Sequence, residues 1–235
     1  MTPIPRTLGT RVAALGGAVV LMVGLTGCGG GSGSSESPAK ALAAAKATMD
    51  QAKSWHMVLS TKSTPSGDGV LRADGVGTHD PAAWKGEVDV MLKGIRATVP
   101  IVAVDDKVYA KLPFTLGYST IDPSEYDAPD PAGFMDPDSG LSALLTKLEG
   151  VRKTGTSRAG SKVVTTYGGD LDGADVQGII PSADAKGTYA TTVNIDKDHE
   201  VTSVSVKGPF FAGSDDVTYT LDVDDYGQDV KITAP

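Results

Sequence analysis

The sequence predicts an α+β domain in which helices lie against one apolar face of a curved antiparallel sheet. Three observations predict it. Apolar and polar residues alternate with a period of two over about nine segments. Short turns rich in Asp and Gly join these segments, which is typical of β-hairpins. Three helical segments fall between runs of strands and do not alternate with them one for one, which favours α+β over a doubly wound fold.

The amino terminus has the pattern of an export signal. Residues 1–11 carry Arg6 and Arg11 but no acid, and residues 12–25 are almost entirely apolar. This apolar run is shorter than the roughly 20 residues that a lasting transmembrane helix needs, so we expect residues 1–27 to be a cleaved signal peptide. The sequence Leu-Thr-Gly-Cys at residues 25–28 resembles the bacterial lipobox, which implies that Cys28 is lipidated. The predicted location is the outer face of the cell membrane, within the cell envelope.

The remaining chain divides into a tether and one domain. Residues 28–37 combine the acylated cysteine with a flexible Gly/Ser-rich linker, and residues 38–235 form the single predicted domain. Removal of residues 1–27 takes away two arginines and no acid, which changes the formal net charge from −8 to −10. A domain this acidic offers no positive field for a polyphosphate, so nucleic acid is excluded as the main ligand.

The first half of the domain predicts one helix and five strands. Pro38 opens a run of good helix formers that places Leu42, Ala45, Met49 and Ala52 on one side. From Trp55 the period is two, with Met57 and Leu59 on the same face as Trp55, and His56 and Val58 on the other. The further strands are predicted at residues 69–78, 84–93, 95–104 and 107–112.

Two of these strands are especially informative. In residues 84–93, Gly86, Val88, Val90 and Leu92 point one way and the charged residues the other, so this strand is predicted to be half buried. Residues 99–104 are apolar on both faces, which predicts cover on both sides of the sheet. Pro100 favours an edge or a bulge because it cannot donate to a ladder.

The second half begins with a long irregular connection at residues 117–140, which contains several Asp-Pro and Pro-Asp pairs. We expect Ser139 to cap a helix whose leucine stripe ends at Gly150. Residues 151–170 predict a hairpin, and Asp172 begins a short helix. The last predicted strands are at residues 189–195, 200–207, 217–223 and 230–233.

Motifs for metal, cofactor or catalytic chemistry are absent from the sequence. One cysteine and three histidines cannot form a zinc cluster, and the acids of residues 122–138 lack the EF-hand spacing. The sequence contains neither a nucleophile elbow nor a phosphate-binding glycine loop. We therefore predict a protein that is not an enzyme and has no metal or cofactor, and we interpret His56, His79 and His199 as surface or hydrogen-bonded histidines.

Several blocks of the chain resemble one lipoprotein family. The blocks are residues 54–61 (SWHMVLST), 86–94 (GEVDVMLKG), 107–112 (KVYAKL) and 136–141 (DPDSGL), the last followed by the leucine-rich segment. Together with the lipobox they resemble, in order, the mycobacterial LppX/LprA/LprF/LprG lipoproteins, and the LprG branch is the most similar.

The resemblance implies a fold, a function and partners. The fold is a half-barrel with helices across its concave face, similar to the LolA/LolB carriers, around an apolar cavity. The function is transport of acylated glycolipids or triacylglycerol within the envelope, with a major-facilitator exporter as the protein partner. Val88 corresponds to a position at the cavity mouth. The other residues that we expect to line the cavity are Val58, Val90, Leu92, Val99, Ile101, Leu144 and Leu148.

The residues themselves leave the interior open to two interpretations. Lining residues as small as Val, Ala and Gly suit either thin layers that pack tightly or a space reserved for an apolar guest. The alternative to a carrier is therefore a structural or adhesin-type surface lipoprotein without a ligand cavity.

Overall fold

An eleven-stranded antiparallel sheet carries the fold in the computed structural model, which describes residues 36–63, 69–211 and 215–235. The predicted signal peptide and Cys28 lie outside the described residues. The strands are β1 (Ser54–Thr61), β2 (Gly69–His79), β3 (Ala82–Leu92), β4 (Ile95–Val104), β5 (Lys107–Ala110), β6 (Ser119–Ile121), β7 (Glu149–Ala159), β8 (Lys162–Asp172), β9 (Thr188–Asp196), β10 (Val201–Gly208) and β11 (Val217–Asp224).

The sheet consists of two meanders joined at a seam. Their strand order is β6-β5-β4-β3-β2-β1-β11-β10-β9-β8-β7, so each meander pairs neighbours in sequence and β1 meets β11 in the middle. The seam runs from the pair His56↔Asp224 to the pair Thr61↔Tyr219. Since β6 and β7 are the two edges, the curved sheet stays open and confirms the predicted half-barrel class.

The two ends of the strands differ in their connections. We call the end with the β3–β4 turn at Lys93 and Gly94 the tip end. The opposite, base end holds the β2–β3 turn at Asp80 and Pro81 and the β9–β10 turn around His199.

Residues 122–148 connect one edge of the sheet to the other, and we call this segment the strap. It contains three 3-10 helices, Pro123–Tyr126, Pro131–Met135 and Leu141–Thr146. The side chains of Asp122 and Asp130 each accept a backbone N–H at 2.9 Å, and Asp136 accepts two at 2.8 Å. These carboxylates therefore cap short helical turns, which explains why acids are frequent here without a calcium-binding spacing.

Helix α1 (Pro38–Gln51) and the strap cover the inner face of the sheet. Ser37 caps the helix, and Ala41, Leu42, Ala45 and Met49 are buried, which confirms the predicted helix and its apolar side. The Ser142 hydroxyl of the strap donates to Asp50 at 2.5 Å, which ties the helix to the strap. The main hydrophobic core lies between these elements and the inner face.

The carboxyl-terminal segment covers part of the outer face. Ile232 is buried against Ala83, Val102 and Val104, and Val230 packs on the same cluster. This arrangement confirms that residues 99–104 are covered on both sides. The predicted strand at residues 230–233 is wrong, because β11 already pairs with β1 and β10 and the segment lies on the sheet without joining it.

The predicted helix after Ser139 is also wrong. Only a 3-10 helix forms, at Leu141–Thr146, and β7 begins at Glu149. Ser139 belongs to the turn that Asp136 stabilises, because its backbone N–H donates to the Asp136 carboxylate. The N-cap residue of the 3-10 helix is Gly140, which has no side chain to accept a hydrogen bond. A longer helix would use residues that β7 needs for its ladder.

The connection at residues 117–140, the β7–β8 hairpin and the position of Pro100 were also predicted from the sequence. The connection at residues 117–140 contains the short strand β6 and two 3-10 helices, which were not predicted. The hairpin of β7 and β8 and the short helix α2 (Gly173–Gln177) are confirmed. Strand β4 is internal, yet Pro100 lies where the β4–β5 ladder ends, and its carbonyl accepts the N–H of Lys111 at 2.9 Å.

Within the described residues, neither helix is long and apolar enough to cross a bilayer. The described strands and the core belong to residues 36–235, which form one compact unit. We therefore expect this segment to fold by itself.

Candidate functional site

The inner face of β2, β3 and β4 brings most of the predicted lining residues together. Val88 pairs with Ala73 on one side and with Val99 on the other, and Gly86 pairs with Ile101. Paired residues of an antiparallel sheet share a face, so Val88, Val99 and Ile101 form one surface with Val90. The inward positions of β3 and β4 are all uncharged: Trp84, Gly86, Val88, Val90, Leu92, Ile95, Ala97, Val99, Ile101 and Ala103.

The structure separates the other predicted residues. Leu92 lies on the same face as Val88 but at the tip end, where it is 38% exposed. Leu144 and Leu148 belong to the strap and pack on the core from the opposite side. Val58 is wrong as a lining residue, because its partners Asp74 and Asp222 place it on the outer face, whereas Trp55 and Met57 of the same strand face inward.

Sequence reasoning missed a patch of glycines in this face. A Cβ at Gly75 or Gly86 would overlap the indole ring of Trp84, and one at Gly77 would overlap the side chain of Met135. Trp84 and Met135, each 1% exposed, therefore lie directly on bare backbone. The repeated glycines at 75, 77 and 86, each on an inward position, are the signal that could have located this patch.

Trp84 fills its place imperfectly. Its indole Nε1 is buried and has no hydrogen-bond partner among the described residues. The other buried tryptophan, Trp55, donates its Nε1 to Nε2 of His79 at 3.3 Å. An unpartnered buried N–H costs free energy that a hydrocarbon group in the same place would not. The glycine patch is thus covered by a side chain with one unmatched polar atom.

The apolar cavity that the resemblance implies is not open over this patch, because Trp84 and Met135 occupy it. Two cavities between described residues have linings that do not include Val88. One, of about 150 Å³, separates the strap from α2 and includes Leu144, Lys147 and Asp175 in its lining. The other, of about 370 Å³, is a polar groove on β7–β11 with Arg152 and Lys207 in its lining.

A cluster of charged side chains lies on the outer face across the seam. His56 is 2.8 Å from Asp74 through Nε2 and 2.7 Å from Asp224 through Nδ1, and Arg72 donates to Asp74 at 2.7 Å. Partial burial lowers the pKa of His56, but the hydrogen bonds and charges of the two carboxylates outweigh it and leave the pKa raised. The pKa of Asp74 is lowered by its hydrogen bonds to His56 and Arg72.

This cluster is better suited to structure than to metal binding. His56, Asp224 and Asp225 lie close enough to hold an ion. However, both ring nitrogens of His56 face carboxylates, and the raised pKa favours the protonated ring, in which both nitrogens donate. An imidazolium has no lone pair for a metal. Of the other histidines, His199 is 3.0 Å from Glu36 and His79 accepts from Trp55, so all three are hydrogen-bonded.

An open half-barrel whose inner face is uncharged along β3 and β4, covered by one helix and a strap, is the class of protein that these features define. The chain belongs to the LppX_LprAFG lipoprotein family, whose sequence model matches residues 37–232. The match spans nearly all of the described unit and confirms the family predicted from the sequence blocks.

Named relatives and solved structures agree with this membership. The chain is 27% identical to the lipoarabinomannan carrier protein LprG of Mycobacterium tuberculosis over 237 residues, with 98% of each chain covered. LprF from Mycobacterium bovis has a TM-score of 0.69 at 17% identity, covering 84% of this chain and 96% of that one. LppX from Mycobacterium tuberculosis has a TM-score of 0.61 at 17% identity, covering 83% and 97%. The relatives are named as carriers and lipoproteins, in agreement with the prediction of a protein that is not an enzyme.

Proposed function

We propose that this protein is a membrane-anchored lipid carrier that binds the acyl chains of glycolipids or triacylglycerol and transfers them within the cell envelope. The observation that carries the proposal is the uncharged inner face of β2–β4, with its patch of glycines beneath Trp84 and Met135. A relative over almost the whole length is named a lipoarabinomannan carrier, which supports the same function.

Acyl chains would bind where Trp84 and Met135 now lie. Each methylene that leaves water for an apolar site contributes about 0.8 kcal/mol, so a long chain can replace the packing of two side chains. Met135 belongs to a 3-10 helix of the strap and not to the sheet. A shift of the strap would therefore expose Gly77, and rotation of the Trp84 ring would expose Gly75 and Gly86. The cargo would lie between the strap and the sheet.

The anchor would keep the carrier beside its membrane. Acylated Cys28 would hold the chain on the outer face of the cell membrane, and several buried acyl chains suffice for stable attachment. A major-facilitator exporter, which the family resemblance implies, would be the protein from which the carrier receives its cargo or to which it passes it.

The filled inner face favours one alternative, a structural or adhesin-type surface lipoprotein without a ligand. In that case Trp84 and Met135 would be permanent core residues and the strap would not move. The two functions differ in whether lipid can enter the protein.

Lipid uptake by residues 36–235 separates these functions. Val88, 8% exposed on the inner face, is changed to Trp, and the control is Val58→Trp on the outer face of the same sheet. We expect lipid in an organic extract of the purified wild-type protein, analysed by mass spectrometry, and uptake of a fluorescent acyl lipid. Val88→Trp should reduce uptake and Val58→Trp should not.

The outcomes are distinct provided that both variants retain the wild-type circular dichroism spectrum. Equal uptake by the two variants would contradict the location of the site. If the wild-type protein contains no lipid and takes up none, the carrier function is wrong and the structural alternative holds.

A further inference from the structure

Exposed large hydrophobic side chains are concentrated at the tip end of the sheet. Eight such side chains occur among the described residues, and six of them flank the β3–β4 turn or lie in the loop of residues 111–118. Phe114 and Leu116 are completely exposed, at 108% and 104%, and Ile95 is 70% exposed. Single exposed apolar residues are ordinary, but a group of six at the same end of the sheet marks a surface that contacts something apolar.

Both loops point toward the tip end of the sheet. Ile101 of β4 pairs with Ala110 of β5, and β4 extends from there to Ile95 at the tip end. The loop leaves β5 after Ala110 and returns to it at Ser119, the partner of Ala110 in β6. It therefore projects in the same direction as the β3–β4 turn.

Internal hydrogen bonds fix the shape of the loop. The backbone N–H and the hydroxyl of Thr115 both donate to the carbonyl of Leu112, at 3.1 and 2.7 Å. Phe114 adopts a φ of 66°, which is unfavourable for a bulky residue. The loop thus keeps the Phe114 side chain in solvent in a backbone conformation that costs free energy.

The charges around these loops are opposite in sign to those of the whole chain. Residues 90–99 and 110–119 contain three basic residues and no acid, in a protein with a formal net charge of −8. Lys93, Arg96 and Lys111 are exposed and are sequence neighbours of the exposed apolar residues, and Arg96 pairs with Asp89 at 3.0 Å. Loops that combine exposed apolar residues with cations match the interfacial region of an anionic bilayer, where acyl chains lie beneath negative head groups.

We propose that the tip end, formed by Leu92, Ile95, Leu112, Phe114 and Leu116, inserts into the surface of an anionic lipid bilayer. Phe114 and Leu116 would enter the boundary between head groups and acyl chains, and the basic residues would remain among the phosphates. The contact is separate from the residues around Val88, because Leu92 and Ile95 share their face but lie at the tip end of the same strands.

The contact is also distinct from the lipid anchor. Glu36, the first described residue, is 3.0 Å from His199 in the β9–β10 turn at the base end. The described part of the chain therefore begins at the end opposite the tip. The acidic remainder of the surface would be repelled by anionic lipid, so only the tip end is suited to this contact.

Vesicle binding by residues 36–235 tests the proposal without an anchor or a signal peptide. The probes are vesicles of phosphatidylcholine alone and vesicles of an equal mixture of phosphatidylcholine and phosphatidylglycerol, with bound protein measured by flotation. One variant combines Phe114→Ser with Leu116→Ser. The matched control combines Tyr126→Ser with Val163→Ser, which are the two exposed hydrophobic residues outside the tip end.

We expect the wild-type protein to prefer the anionic vesicles and to lose binding as salt is added. The Phe114/Leu116 variant should bind at least about tenfold more weakly, equivalent to about 1.4 kcal/mol, and the control variant should bind like the wild type. All three proteins should melt at similar temperatures because the changed side chains are exposed.

Three results would overturn the proposal. They are no binding by the wild-type protein, equal binding by the Phe114/Leu116 variant, and equal binding to neutral and anionic vesicles. Sedimentation velocity of the same proteins tests whether the tip end binds a second copy of the chain. If the wild-type protein dimerises and the Phe114/Leu116 variant does not, the tip end binds a second copy of the chain and the bilayer assignment is wrong.

Discussion

The two buried tryptophans allow a direct test of how well Trp84 fits its place. We expect Trp84→Phe to cost less unfolding free energy than Trp55→Phe. Both side chains are 1% exposed, so the loss of ring area is similar in the two variants. They differ in their indole N–H groups, because that of Trp84 has no partner among the described residues and that of Trp55 donates to His79.

The expected magnitudes follow from this difference. An aromatic side chain buries about 150–250 Å², which at about 25 cal/mol per Å² is worth about 4–6 kcal/mol, and Trp→Ala changes typically cost about 3–5 kcal/mol. Phe retains most of that area. Trp84→Phe also removes an unpartnered polar atom whose burial costs about 1–3 kcal/mol, so its net effect should be within about 1 kcal/mol of zero. Trp55→Phe leaves His79 without its donor and should cost about 2 kcal/mol or more.

Urea unfolding of residues 36–235, followed by far-ultraviolet circular dichroism, measures both free energies without relying on tryptophan fluorescence. Trp84→Ala gives the loss of unfolding free energy when the ring is removed completely, with which the two Phe variants are compared. If Trp84→Phe destabilises the protein as much as Trp55→Phe does, the Trp84 indole is a well-satisfied core group and the argument that an acyl chain can replace it loses its physical basis.

The other predictions concern the outer face and the anchor. Because the pKa of His56 is raised above 6.5, its stabilising effect should be complete below that pH and should be lost as the pH rises through the folded-state value. The stability difference between wild type and His56→Gln should thus shrink from about pH 5.5 to about pH 8 in urea titrations, and a constant difference would contradict this reasoning. Cys28→Ala should move the protein from the membrane fraction to the soluble fraction of cells, and continued membrane association would exclude this cysteine as the anchor.

Local patterns predicted the strands because burial follows alternation directly. In β3, one face of the strand is uncharged and inward, so Val88 and Val90 could be assigned to the inner face from the sequence. The same alternation placed Val58 on the face of His56, and its assignment to the cavity from the resemblance contradicted that pattern. The structure agrees with the alternation.

The wrong predictions came from sequence patterns that are compatible with more than one structure. Val230 and Ile232 alternate as in a strand, but Ile232 is buried and Val230 is partly buried by packing on the outer face, without ladder partners. The leucines of residues 141–148 fit a helix, but strand β7 begins at Glu149 and leaves room only for a short 3-10 helix. Trp84 and the glycines beneath it could not be recognised as a unit, because their contact depends on the register between β2 and β3.

The seam between β1 and β11 has a consequence for the order of assembly. Among the described residues, β1 is the first strand and β11 is the last, so one edge of the first meander stays unpaired until residues 217–224 are available. For a chain that crosses a membrane amino terminus first, the pairing of β1 with β11 can form only when translocation is almost complete. Until then the exposed edge is open to pairing with other chains, which makes chaperone protection most valuable during that interval.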